Sequence, residues 1–81
     1  MDMVFDVSNI SVHAYRLRNG DTIKIQRFDA AYVAIPYRQN AVVGDMYYNT
    51  DNPDGIIRRT KAAMVAWLTV NAIYQWRLVK D

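Results

Sequence analysis

The sequence feature that most constrains the fold is the tetrapeptide RNGD, residues 18–21, which separates the strand-like runs SVHAYRL and TIKIQRF. Asn-Gly between two such runs is a strong hairpin signal, because both residues tolerate positive φ angles. A two-residue loop would mix polar and apolar side chains on both faces of the hairpin. A three-residue loop, 18–20 with Gly20 left-handed, instead pairs Tyr15 with Ile23. The sequence therefore predicts a bulged antiparallel hairpin.

Two further strands are predicted after the hairpin. The run AAYVAIPY, residues 30–37, is rich in β-formers, and Pro36 confines its end to a sheet edge because proline cannot donate to a ladder. Alternatively, Asp29 caps a short helix at the start of this run. The run AVVGDMYY, residues 41–48, is predicted to be the fourth strand, with Gly44 as a bulge or bend.

A helix is predicted to follow NTDNPDG. Asn52 is a good N-cap, Pro53 suits the first helical position, and Asp54 suits the first turn. Apolar side chains then recur at spacings of three and four up to residue 70. We expect Asn71 to end the helix in the left-handed conformation.

The last run, AIYQWRLV at residues 72–79, alternates apolar and polar side chains and predicts a closing strand. The predicted fold class is therefore α+β, with an antiparallel sheet of four to five strands, one helix packed on it, and the order ββββαβ. The 81 residues leave no room for a second core, so residues 1–81 are predicted to form a single domain.

The residue inventory argues against chemistry at a metal or a catalytic centre. The chain has no Cys and one His, His13, and no GxSxG motif accompanies it. The segment TDNPDG, 50–55, resembles a calcium loop only superficially, because Lys61 stands where a bidentate carboxylate is required. We predict no enzymatic activity, no metal and no cofactor.

The first residues give no sign of a secretory signal, because Asp2 and Asp6 stand where a basic segment and an apolar run are needed. The uncharged run 62–76 is shorter than the roughly 20 apolar residues that a membrane span requires. The sequence predicts a cytoplasmic protein without a membrane partner.

A basic cluster is predicted at the start of the helix: Arg58, Arg59 and Lys61. There it would add to the positive end of the helix dipole and attract a phosphate or an acidic partner. In the alternative interpretation the cluster is a solvated helix face on which Asp54 pairs with Arg58 across one turn. The sequence leaves both interpretations open.

The chain has six Tyr and two Trp, a large aromatic content for so small a domain. Three of these side chains are expected in the core: Trp67, Tyr74 and Trp76. A second group is expected at one end of the sheet, where it resembles an interface hot spot: Tyr37, Arg38, Tyr47 and Tyr48. Alternatively, these Tyr residues cover the rim of the core with their hydroxyls in water.

By elimination, the leading hypothesis is a non-enzymatic protein-interaction module with a protein partner. By analogy alone, small chains without Cys are common among phage and mobile-element accessory proteins, some of which inhibit host nuclease or transcription complexes. An inhibitor that covers a nucleic-acid channel needs an acidic face. The candidates for that face are Asp45, Asp51 and Asp54.

Two other hypotheses remain. The first is a small nucleic-acid-binding protein in which basic residues contact phosphates and Tyr rings stack on bases. Its basic residues would be Arg16, Arg18, Lys24 and Arg27, or the basic cluster, although the net charge is only +2. The second is a homodimer in which edge strands without proline pair across a two-fold axis.

Overall fold

Alternating apolar residues on both sides of Asn19-Gly20 begin an antiparallel sheet, which the rest of the chain extends. The computed structural model describes residues 5–78. Its strands are β1 (His13–Leu17), β2 (Thr22–Phe28), β3 (Ala31–Pro36), β4 (Ile57–Arg58) and β5 (Ala72–Arg77). Helix α1 spans Lys61–Asn71, and two short 3-10 helices span Ile10–Val12 and Val43–Asp45. The strands form one sheet in the order β4-β3-β2-β1-β5, with antiparallel neighbours throughout.

This architecture confirms the predicted fold class. The elements follow one another as ββββαβ, and one helix packs on an antiparallel sheet of five strands. The first four strands are sequential neighbours in the sheet, whereas β5 returns after α1 to pair with β1. The last predicted strand is confirmed as far as Arg77, and Val79 lies outside the described residues.

The predicted hairpin register is confirmed. Tyr15 lies opposite Ile23, and Gly20 has a φ angle of 94°. The backbone N–H of Leu17 donates to Asp21 O at 2.8 Å, and the N–H of Gly20 donates back to Leu17 O at 3.0 Å. The three-residue loop therefore places Tyr15 and Ile23 on one face of the sheet.

The predicted fourth strand at residues 41–48 is wrong. Asp45 turns this segment back on itself, because its carboxylate accepts from Val42 N at 3.2 Å and its N–H donates to Val42 O at 2.8 Å. Such local bonds compete with a strand ladder. The fourth strand is instead β4, where Ile57 lies opposite Val33 in a segment predicted to be helical.

The predicted helix start is also wrong, because Thr60 and not Asn52 is the N-cap of α1. The Thr60 hydroxyl accepts from Ala63 N at 3.1 Å. Residues 52–55 form a turn in which Gly55, with a φ of 98°, donates its N–H to Asn52 O at 3.1 Å. This left-handed glycine ends the turn three residues after the predicted cap, and the chain then becomes extended at Ile57.

The predicted left-handed end of the helix at Asn71 is not formed. The chain passes directly from α1 into β5, since Ala72 is extended with φ −95° and ψ 143°. The Asn71 side-chain amide donates to Trp67 O at 2.8 Å within the last turn of the helix.

The core lies between α1 and one face of the sheet. Its buried residues are Ile10, Tyr15, Leu17, Ile23, Ile25, Ala34, Tyr47, Ile56, Met64, Leu68 and Ala72. Trp67 packs against this cluster. The assignment of Tyr74 to the core is wrong because its side chain is exposed, and Trp76 is only partly buried, outside the cluster.

The second hairpin turns through Asp29 and Ala30, whereas the third strand was predicted to begin at Ala30, with Asp29 as the cap of a short helix in the alternative. Phe28 pairs with Ala31, and the two turn residues have φ angles of 51° and 60°. Two consecutive positive φ angles are typical of a type I′ turn, in which Asn or Asp followed by Gly is preferred. Ala30 therefore stands where glycine is favoured, in a conformation that costs an L-residue about 1–2 kcal/mol.

We expect Ala30→Gly to raise the free energy of unfolding by about 0.5–1 kcal/mol, because relief of the left-handed strain exceeds the entropy that glycine adds to the unfolded chain. Urea denaturation of the variant and the natural chain measures the difference. Ala31→Gly, one residue later in a regular strand, should instead lower stability. A variant at residue 30 no more stable than the natural chain would contradict the strain argument.

Candidate functional site

The sheet has one face covered by α1 and one face without an α-helix, which we call the helix-free face. Residues directly opposite each other in a sheet point to the same side. The pairs Trp76–Ala14, Ala14–Lys24 and Lys24–Ile35 therefore form one row across four strands on the helix-free face. None of these residues belongs to the core cluster beneath α1.

One end of the helix-free face carries an open apolar cleft of about 820 Å³, which we call the apolar cleft. Its main lining residues are Phe28, Val33, Val42, Val43, Met46 and Ile57. Three of them remain largely accessible: Phe28 is 53% exposed, Val42 60% and Ile57 42%. Asp29 and Arg59 complete its lining with one charge of each sign.

Four separate parts of the chain build the apolar cleft. Phe28 ends β2, Val33 lies within β3, Val42 precedes the second 3-10 helix, and Ile57 begins β4. Gly55 leaves room for a further lining residue, Met46, because a Cβ atom at Gly55 would lie only 3.2 Å from the Met46 Cβ.

The opposite end of the helix-free face carries three aromatic rings, which we call the aromatic cluster: Tyr37, Tyr74 and Trp76. The Trp76 ring centroid lies 6.0 Å from that of Tyr37 and 5.7 Å from that of Tyr74. Both Tyr side chains are exposed. Arg16 is paired with Tyr74 across β1 and β5, and its guanidinium donates to Gly20 O at 3.2 Å.

Tyr47, a predicted partner-binding residue, is instead part of the core, with only 7% of its surface exposed. Its hydroxyl donates to the Asp21 carboxylate and accepts from the Asn19 amide, both at 2.7 Å. Burial raises the Tyr47 pKa above its usual value; the bond from Asn19 opposes this increase and Asp21 adds to it. These contacts attach Tyr47 to the first hairpin loop.

The other members of the predicted aromatic group do not assemble as expected. Tyr37 lies beside Trp76, whereas Tyr47 lies 6.5 Å from Trp67, between ring centroids, in the layer beneath the helix. Tyr48 is exposed. Arg38 is exposed and forms an ion pair with Asp45 at 3.4 Å. The structure thus assigns Tyr37 to the aromatic cluster and separates it from Tyr47.

The basic cluster is divided among three environments. Arg58 lies in β4 opposite Tyr32, and its guanidinium donates to Ile57 O at 2.9 Å. Arg59 lines the apolar cleft. Lys61 begins α1 and donates to Ser8 O at 2.8 Å.

The helix interpretation of the basic cluster is consequently wrong for Arg58 and Arg59, which precede α1. The alternative pairing of Asp54 with Arg58 is not formed either. Within residues 5–78, carboxylates lie within 4 Å of a basic side chain at Asp6, beside His13, and at Asp45, beside Arg38.

Of the residues that line the apolar cleft, sequence reasoning identified only Arg59 and missed the exposed apolar ones, Phe28, Val42 and Ile57. A signal existed for Phe28, because strand alternation places it on the same face as Lys24 and Gln26, where an exposed apolar residue needs an explanation. No comparable signal existed for Val42 and Ile57, since both lie in segments whose secondary structure was predicted wrongly.

Comparison of the chain with protein-family models, curated proteins and solved structures gives no match. Among residues 5–78, α1 is too short to cross a membrane. Those same residues contain no group of three or more His or Asp side chains placed to share a metal ion. The geometry of the helix-free face is therefore the basis for a functional proposal.

Tyr47→Phe should lower the free energy of unfolding by about 1–2 kcal/mol, because it leaves the Asp21 and Asn19 side chains without their shared partner. Chemical denaturation measures the loss. Tyr48→Phe removes the same atom from an exposed side chain and should change stability by less than about 0.5 kcal/mol. Equal effects in the two variants would contradict a structural role for Tyr47.

Alkaline pH should destabilise the fold through Tyr15 and Tyr47. The pKa of each is raised in the folded chain above the ordinary 10.0, mainly by burial. Their contribution to stability is therefore complete below pH 10 and is lost as the pH rises through 10 toward the higher folded pKa values. Urea titrations between about pH 9 and 11 should show this decline, and Tyr47→Phe should make it shallower. An unchanged decline would contradict the assignment to Tyr47.

Proposed function

We propose that this chain is a non-enzymatic protein-interaction module that binds its partner through the apolar cleft. The observation that supports the proposal is the exposure of Phe28, Val42 and Ile57 around a concave apolar surface. Apolar side chains grouped in this way, with polar residues at the rim, are typical of interaction sites rather than of free protein surface. Single exposed apolar residues would not carry this argument.

The composition of the cleft suits a protein segment with an apolar side chain as its anchor. Phe28 offers a large rigid contact area, and Met46 offers an adaptable one. Asp29 and Arg59 supply opposite charges beside the apolar surface, as in the polar rim of an interface. In this proposal Arg59 keeps the partner-binding role expected from the sequence, although it acts from beside a cleft and not from a helix.

The environment of His13 supports a role without catalysis. Its side chain is buried, its Nδ1 lies 3.1 Å from Asn9 O, and its Nε2 lies 3.6 Å from the Asp6 carboxylate. The ring is therefore held by the segment that precedes β1. No Cys is available as a partner nucleophile.

An inhibitor of a host nuclease or other nucleic-acid-handling complex would need a continuous acidic surface to present to a channel that normally holds nucleic acid. Asp45, one candidate for this surface, forms an ion pair with Arg38 and also accepts from Val42 N. Asp45 is therefore already engaged by its own chain.

Two valine variants test the cleft with closely matched chemistry. Val42→Lys places a charge on the cleft, whereas Val70→Lys places it on α1, where the side chain is 67% exposed. The tagged chain and its variants are used to capture proteins from host lysate, with and without nuclease. We expect one protein to remain bound to both the natural chain and Val70→Lys. Val42→Lys and Phe28→Lys should each weaken its binding at least about tenfold, equivalent to about 1.4 kcal/mol. Equal binding by all variants would contradict a role for the cleft.

The aromatic cluster favours a second candidate function, binding of single-stranded nucleic acid. Exposed rings of Tyr37 and Tyr74 beside Arg16 could stack on bases and contact phosphates. This function requires affinity for an oligonucleotide to fall with salt, with a log-log slope of about −0.7 per phosphate neutralised. Fluorescence anisotropy with labelled single strands measures this slope. Absence of binding at low salt would eliminate the candidate.

A further inference from the structure

β5 is an edge strand whose outer side meets no other strand among the residues that the structure describes. Within residues 5–78 it pairs only with β1, and no other strand lies beside it. Its sequence, AIYQWR, contains no Pro or Lys, the residues that commonly protect a sheet edge from pairing. At the other edge of the sheet, β4 is only two residues long. The open hydrogen-bonding edge is therefore β5.

The direction of the backbone groups along β5 follows from one bond. The N–H of Leu78 donates to Val12 O at 2.8 Å, so the backbone N–H and C=O of Leu78 point toward β1. The direction of these backbone groups alternates along an antiparallel strand. Those of Trp76 therefore also point toward β1, whereas those of Gln75 and Arg77 point outward. An irregularity opposite Arg16 and Leu17 ends the regular stretch before Tyr74.

We propose that β5 pairs with β5 of a second copy of this chain, antiparallel across a two-fold axis that passes beside Trp76. Gln75 of each copy then lies opposite Arg77 of the other. This register uses the outward backbone groups of both residues in both copies. The two sheets become one continuous sheet, and the symmetric contact closes without leaving a further edge free at β5.

The side chains of β5 fit a second copy of the same strand. In the proposed register Trp76 faces its own counterpart in a pair without direct hydrogen bonds, the type in which opposing side chains approach most closely. Aromatic cross-strand pairs of this kind stabilise a sheet. Both indoles lie on the helix-free face, so the two aromatic clusters, each with Tyr37 and Tyr74, become one.

The charges on the other side of β5 are also complementary. The Gln75 amide accepts from Asp6 N at 2.8 Å and donates to Asp6 O at 3.0 Å, so Asp6 lies beside Gln75. Arg77 of the second copy, opposite Gln75, therefore lies on the same side of the sheet as Asp6, whose carboxylate is 3.6 Å from His13 Nε2 in its own chain. The symmetry places a positive and a negative side chain on this side of the sheet twice.

The second copy also buries surface that a small domain leaves exposed to water. A chain of about 80 residues buries only about 60% of its unfolded surface, so added burial at an edge is a substantial gain. Ile73 and Tyr74 are both exposed at this edge in the single chain. The pairing is independent of the proposed function, because the apolar cleft lies beside β4, at the other side of the sheet.

Sedimentation velocity over a range of concentrations tests the pairing with two lysine variants. Trp76→Lys places two like charges opposite each other at the axis and should raise the dimer dissociation constant at least about tenfold. Val42→Lys, in the apolar cleft, should leave that constant unchanged. Circular dichroism at low concentration establishes that both variants are folded. A natural chain that stays monomeric throughout, or a Trp76→Lys chain that dimerises equally well, would overturn the proposal.

Hydrogen exchange on the natural chain gives a second test that needs no variant. The amides of Gln75 and Arg77 should exchange more slowly as the protein concentration rises, because the second copy supplies their acceptors. Protection of these amides that is independent of concentration would mean that the chain's own terminal residues cover the edge. That result would also overturn the proposal.

Discussion

The register of the first hairpin determines the two faces of the sheet. Side chains alternate along a strand, so a slip of one residue would move every apolar residue of β1 to the other face. With Tyr15 opposite Ile23, the apolar residues meet α1, and Arg16, Lys24 and Gln26 lie on the helix-free face. Gly20 sets this register, because its φ of 94° is a conformation that glycine adopts without strain.

Tyr47 connects the first hairpin to the segment that forms the cleft. Its hydroxyl binds the first loop, its N–H donates to Ala34 O at 2.7 Å, and its carbonyl accepts from Ile56 N at 3.0 Å. Ile56 in turn accepts from Ala34 N at 3.0 Å. Tyr47 and Ile56 therefore attach two irregular segments to β3, and the residues beside them, Met46 and Ile57, become walls of the apolar cleft.

Local signals explain which parts of the fold could be predicted. The first hairpin and α1 have strong short-range signals, so their existence followed from sequence. The helix start did not, because Asn52-Pro53 and Thr60 are both good caps, and only burial of Ile56 under the sheet favours the second. The cleft could not be predicted either, because local signals do not reveal it. Its walls come from four separate segments that only tertiary contacts bring together.

The distribution of polarity on the helix-free face argues for two separate contacts. A sheet face without a second layer is normally polar, because nothing shields it from water. Here β2 places the polar residues Thr22, Lys24 and Gln26 in the middle of the face, where the neighbours Ala14 and Ile35 are buried, whereas the two ends carry the apolar cleft and the aromatic cluster. A single partner covering the whole face would have to desolvate the Lys24 ammonium without a buried counter-charge, which is costly. Separate contacts at the β4 and β5 ends leave the exposure of the half-buried Lys24 unchanged, and the proposed dimer at β5 would present two clefts to other proteins.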